Sequence, residues 1–100
     1  MSSISPTPSV IPPDVLRAIH SEMAHQAMRH GDHRHTPAEW LLILEKLMHD
    51  ARYAWVTGNG DEQAMHEIRQ IATTAIQAMT QCGAYERRPL GRPAKLPGDP

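Results

Sequence analysis

Apolar residues recur every three or four positions from Leu16 to Met79, and no stretch alternates with the period of two that a half-buried strand requires. Three helical segments follow from that pattern. The first opens at Pro12-Pro13-Asp14 and stops at Gly31, with Leu16, Ile19, Met23 and Ala27 forming one modest stripe. The second carries the strongest start signal in the chain. Thr36-Pro37-Ala38-Glu39 joins an N-cap hydroxyl, a proline at the first helical position and the glutamate of a capping box. Along it Trp40, Ile43, Leu44, Leu47, Ala51 and Ala54 share an arc that Leu41, Met48 and Trp55 widen to about 160°. It ends near Gly58-Asn59-Gly60. The third runs from Asp61-Glu62 to Gly83, with Met65, Ile68, Ala72, Ala75, Ile76 and Met79 at helical spacing and Ile71 alongside.

The expected fold is therefore all-α: an antiparallel hairpin of two long helices plus an N-terminal helix, occupying residues 13–83. Residues 1–12 are proline-rich and read as a flexible arm, and residues 84–100 read as a proline-rich, mildly basic tail. The first helix has too thin a stripe to cover what the other two present. A homodimer, or a higher homo-oligomer, that completes a helical bundle is the expected solution.

Composition narrows the functional classes. Of 100 residues 40% are apolar, but only 4% are aromatic and none is Phe, so the core is built from Leu, Ile, Met and Ala. The single cysteine, Cys82, excludes an internal disulfide framework and a cysteine-rich zinc module; it falls on the apolar arc of the third helix, where it reads as a buried small hydrophobe. No apolar run approaches the roughly 18 residues of a membrane span, and no basic region precedes an apolar stretch at the start, so a cytoplasmic location without membrane contact is expected. The net charge is −1, and the basic tail gives too weak an electrostatic footprint to expect nucleic acid as a partner.

Candidate chemistry lies in two places. His30, His33 and His35 fall in the loop HGDHRH, where His-x-His with Asp32 or His30 could hold a transition metal, although a solvated loop is the ordinary reading. The carboxylates carry more. Glu39, Lys46 and Asp50 run along one edge of the second helix's apolar arc, Glu45 and Arg52 along the other, and Glu67 borders the arc of the third helix. Carboxylates at a helix seam are where a phosphate-handling bundle holds Mg²⁺. The same spacing also describes a Lys46–Asp50 surface pair at i,i+4 beside a solvated Glu67. Arg69, at the other border of the third helix's arc, reads either as a cation that steers a triphosphate or as a solvated surface arginine. No nucleophile elbow, Walker-type loop or zinc signature is present.

Glu22 with His25-Gln26, the loop RHGDHRHTPAEW, the helix WLLILEKLMHDARYAW and the block HEIRQIATTAIQAM occur in an order that resembles the MazG-like all-α nucleotide pyrophosphohydrolases, in particular the short phage and prophage type. The resemblance covers about 60 residues. It implies a dimeric or higher bundle that uses Mg²⁺, or Mn²⁺, held by carboxylates of two helices. That bundle would hydrolyse a nucleoside triphosphate to the monophosphate and pyrophosphate. In the preferred alignment Asp50 and Glu67 keep metal-ligand positions, Glu22 and Glu45 assist catalysis, and Lys46 and Arg69 contact phosphate. Lys46 and Leu47 stand where the family has carboxylates, and Gln70 where it often has Asp; a register shifted by one residue would make Glu45 the ligand and put His49 at an acidic position. The alternative implied by these departures is a catalytically inactive helical dimer that binds a nucleotide or a protein.

Overall fold

The computed structural model describes residues 10–31 and 33–87. Most of the proposed N-terminal arm, the tail beyond 87, and Asp32 lie outside the described residues. Those that are described form three helices and no strand: α1 (Pro13–His30), α2 (Pro37–Val56) and α3 (Gly60–Cys82). None of these helices is long and apolar enough to cross a membrane.

Each helix starts and stops where its local chemistry dictates. Pro13 sits in the first turn of α1, where a missing N–H costs nothing, and Asp14 places negative charge at the positive helix end. At the start of α2 the reciprocal capping box forms: the Glu39 N–H donates to Thr36 Oγ1 at 3.2 Å, and the Thr36 N–H donates to Glu39 Oε1 at 2.8 Å. Those hydrogen bonds, the backbone one foremost, hold the Glu39 carboxyl below the usual range. Thr57, Gly58 and Asn59 connect α2 to α3, with Gly58 at φ 83°, a left-handed conformation that glycine takes without steric cost.

The short connection makes α2 and α3 an antiparallel hairpin, and the hydrogen bond from Trp40 Nε1 to Gln81 Oε1 (3.2 Å) fastens its open end. α1 packs on α3 as well, but α1 and α2 do not pack on each other. A groove is left between them, with α3 as its floor.

The core is small. Among the described residues only Ile19 and Trp40 are buried hydrophobics, joined by Thr73, Thr74 and Glu22 as buried polar groups. The inward arc of α2 is as the periodicity predicts, with Trp40 buried and Ile43, Leu44, Leu47, Ala51 and Ala54 half-buried. Its widening members Leu41, Met48 and Trp55 are exposed. On α3 the most buried residues are two threonines, while Met65, Ile68 and Met79 on the apolar arc are exposed. Cys82 is also exposed, contrary to the buried role expected of it, with its Sγ near the His35 carbonyl oxygen at 3.6 Å.

Candidate functional site

The groove encloses about 770 Å³. α1 contributes Glu22, His25, Gln26 and Arg29; the connection to α2 contributes His33 and His35; α2 contributes Trp40, Ile43, Lys46 and Leu47; α3 contributes Gln70, Thr74 and Gln77. Polar donors and two full cations thus face a cleft whose wall on the α2 side is apolar, a combination that accepts an anion with an apolar body. The floor residues, with Gln81, recur on α3 at steps of four, three and four. They form an uncharged polar stripe on the face turned away from Met65 and Met79.

The connection between α1 and α2 is held by Gln81. Its Oε1 accepts from the His35 N–H (3.1 Å) and from Trp40 Nε1 (3.2 Å), and its Nε2 donates to the His33 carbonyl (2.8 Å). The His35 ring meets the Trp40 indole edge-on, with centroids 4.9 Å apart. One side chain thereby positions two groove histidines, a role that reading the sequence for motifs did not find. The polar stripe Gln70, Thr74, Gln77, Gln81 was the available signal.

The six residues singled out from the sequence divide into three settings. Glu22 and Arg69 meet: Arg69 Nε donates to Glu22 Oε1 at 2.8 Å, and Gln26 Nε2 donates to the other carboxylate oxygen at 3.1 Å. Arg69 is therefore not a solvated surface arginine but ties α3 to α1, and its guanidinium also meets His66 Nδ1. His66 also stands 3.6 Å from Glu62.

Lys46 and Asp50 form the i,i+4 pair, Nζ to Oδ2 at 2.8 Å, with the lysine 75% and the aspartate 44% exposed. Hydrogen bonding to Asp50, reinforced by its charge, holds the Lys46 ammonium above the usual range. Glu67 is half-buried and accepts from Gln63 Nε2 at 3.2 Å. Asp50 lies eight positions before Gly58 and Glu67 nine after it, so the two stand at the same level of the hairpin. Each is one helical turn beyond a residue of the groove, Lys46 and Gln70, on the same face of its helix.

Glu45 does not line the groove. It borders a second depression, of about 560 Å³, on the outer side of α2 with Leu42, Met48, His49 and Arg52.

Among the described residues no group of three or more His, Cys, Asp or Glu side chains converges to hold a metal. A divalent cation caged by protein ligands alone has no place there. The donor set of Asp50 and Glu67 fits the other mode, in which one or two carboxylates hold a magnesium ion that arrives with phosphate oxygens. Compared with models of known protein families, with curated proteins and with solved structures, the chain matches none.

Proposed function

We propose that the groove binds a nucleoside triphosphate and that the protein is a MazG-like nucleoside triphosphate pyrophosphohydrolase. The observation that carries this reading is the end of the groove nearest the hairpin turn, where Lys46 lines the cleft and Asp50 and Glu67 follow one turn further on. Arg29 and Lys46 supply positive charge for a polyphosphate, and Gln70, Thr74 and Gln77 supply neutral donors. The Glu22 charge, which would repel that anion, is matched by Arg69. In this scheme Asp50 and Glu67 hold the divalent cation against the phosphates. Lys46 orients the triphosphate once its link to Asp50 is exchanged for one to phosphate. Bound Mg²⁺ or Mn²⁺ supplies charge neutralisation and lowers the pKa of a water, so no protein nucleophile is called for.

The test is a panel of ribo- and deoxyribonucleoside triphosphates with Mg²⁺ or Mn²⁺, read by release of pyrophosphate and the monophosphate. Turnover lost in Asp50→Asn and in Glu67→Gln, with KM raised in Lys46→Ala, supports the proposal. No pyrophosphate from any member of the panel, or rates unchanged in both carboxylate variants, overturns it.

A second reading, a silent nucleotide-binding module, is favoured by the engagement of Asp50 with Lys46 and of Glu22 with Arg69. It predicts binding of a non-hydrolysable triphosphate that chelator does not weaken, with no turnover.

A further inference from the structure

The groove has two tiers that differ in chemistry. Lys46 lies twelve residues before Gly58 and Gln70 twelve after it, so they share one level of the hairpin. Trp40, eighteen residues before Gly58, and Gln77, nineteen after it, share another. α1 runs in the same direction as α3, because Glu22 meets Arg69 and the connection that follows α1 meets Gln81. Glu22 therefore stands in the tier of Lys46. Arg29, seven residues further along α1, returns after two turns to the same face and stands in the tier of Gln77. At 1.5 Å per residue the two tiers are about 10 Å apart.

The tier of Lys46 carries both signs of charge, with Asp50 and Glu67 one turn beyond it. The other tier is lined by Arg29, His33, His35, Trp40 and Gln77, and among the described residues no carboxylate lines it. Glu39, the residue before Trp40, is engaged in the cap of α2. The indole N–H of Trp40 and both polar atoms of Gln81 are spent on each other and on the connection. Arg29 is exposed and, among the described residues, meets no acidic side chain, so its guanidinium fork is open to a ligand.

We infer that this tier binds the base of the nucleotide and selects a 6-oxopurine, guanine or hypoxanthine, through Arg29. The inference rests on the nucleotide reading of the groove, which sets the phosphates beside Lys46, Asp50 and Glu67. Beyond its share in the positive field of the cleft, Arg29 stands two helical turns from that end, so the part of the nucleotide that reaches it is the base.

The selection follows from donors and acceptors. A guanidinium offers N–H groups only, and it pairs in bidentate fashion with an edge that presents two acceptors. The O6 and N7 atoms of guanine form such an edge, and hypoxanthine presents the same one. Adenine sets its N6 amino group beside N7, so a donor would face a donor, and cytosine presents an amino group as well. Uracil and thymine offer a single acceptor, O4, on the corresponding edge. The Gln77 amide adds to the discrimination, because its oxygen accepts from an N1–H that guanine and hypoxanthine share and adenine lacks. With no carboxylate in the tier to answer the 2-amino group, guanine and hypoxanthine are read alike. The half-buried His35 ring, set edge-on to Trp40, and the side chain of Ile43 supply the surface on which a purine stacks.

The test is calorimetry on the full chain with Mg²⁺ and non-hydrolysable triphosphate analogues of guanosine, inosine, adenosine and 7-deazaguanosine, the last lacking the N7 acceptor. The guanosine and inosine analogues should bind alike, and the adenosine and 7-deazaguanosine analogues about tenfold or more weakly. Arg29→Ala, a change at an exposed position, should bring all four to within about threefold of one another. Lys46→Ala should weaken all four by a similar factor and keep their order. Equal affinities in the wild type overturn the inference and leave the nucleotide reading standing. So does an order that survives Arg29→Ala, or an inosine analogue bound as weakly as the adenosine one. Uptake of none of the four overturns both.

Discussion

Arg69 donates through Nε to the Oε1 atom of Glu22 at 2.8 Å, joining two residues 47 positions apart in the chain, and the glutamate is 5% exposed. This pair closes the α1–α3 side of the groove. Its two halves are unequal, because the arginine keeps 28% exposure while the carboxylate depends on its partners for solvation.

Removing the cation should therefore hurt more than removing both charges. Arg69→Ala leaves a buried carboxylate with only Gln26 to answer it, and a loss of about 2–3 kcal/mol is expected. A double substitution, Glu22→Leu with Arg69→Met, should recover most of that loss. Urea unfolding monitored by circular dichroism gives both numbers, and a double variant as unstable as Arg69→Ala would refute the account.

Thr73 is fully buried, and its hydroxyl has no hydrogen-bond partner. An unsatisfied buried polar atom keeps its desolvation cost with nothing in return. Thr73→Val, which replaces the hydroxyl with a methyl of similar size, should raise stability by about 1 kcal/mol. A fall in melting temperature would show that the oxygen has a partner after all.

Gln81 answers three groups of the α1–α2 connection and of Trp40. Gln81→Ala orphans the buried indole N–H and the two backbone groups, and about 2 kcal/mol of stability should go with it. The loop should also loosen before the helices do. Amide exchange at His35 and Thr36 should rise in Gln81→Ala while the interior of α2 stays protected; equal exchange in both proteins would contradict the clamp.

The cap of α2 titrates. Folding holds the Glu39 carboxyl below its ordinary value of 4.5, so its contribution is complete above that pH and is lost as pH falls through the lowered value. Lys46 is held above its ordinary 10.5, so its contribution is complete below that pH and is lost as pH rises through the raised value. Glu39→Gln should flatten the acid limb of a stability–pH curve and leave the alkaline limb unchanged. Thr36→Ala, which removes the reciprocal half of the box, should cost about 1 kcal/mol at neutral pH.

The elements of this protein were legible because their signals are local. The capping box at Thr36 and Glu39, the prolines at 12, 13 and 37, and Gly31, Gly58 and Gly83 act within a turn or two of themselves, and the helix ends fall where they stand. The Lys46–Asp50 pair was legible for the same reason, since i,i+4 neighbours meet on any helix. The pairing of Arg69 was not legible because its partner, Glu22, lies 47 residues away on another helix. Gln81 escaped notice because glutamine marks no particular chemistry until a loop is brought against it.

What the sequence determined by itself was three helices, their bounds and the hairpin, because hydrogen bonding and backbone preference within a helix depend on near neighbours. What the tertiary structure decided was the direction each helix faces. The apolar stripe of α3 has the spacing of a core, yet α1 and α2 settle on its threonine and glutamine side and leave Met65, Ile68 and Met79 outside. Periodicity states that a helix has two faces; only the contacts between helices choose which one turns inward, and here that choice opens a polar groove on one side of the hairpin and an apolar face on the other.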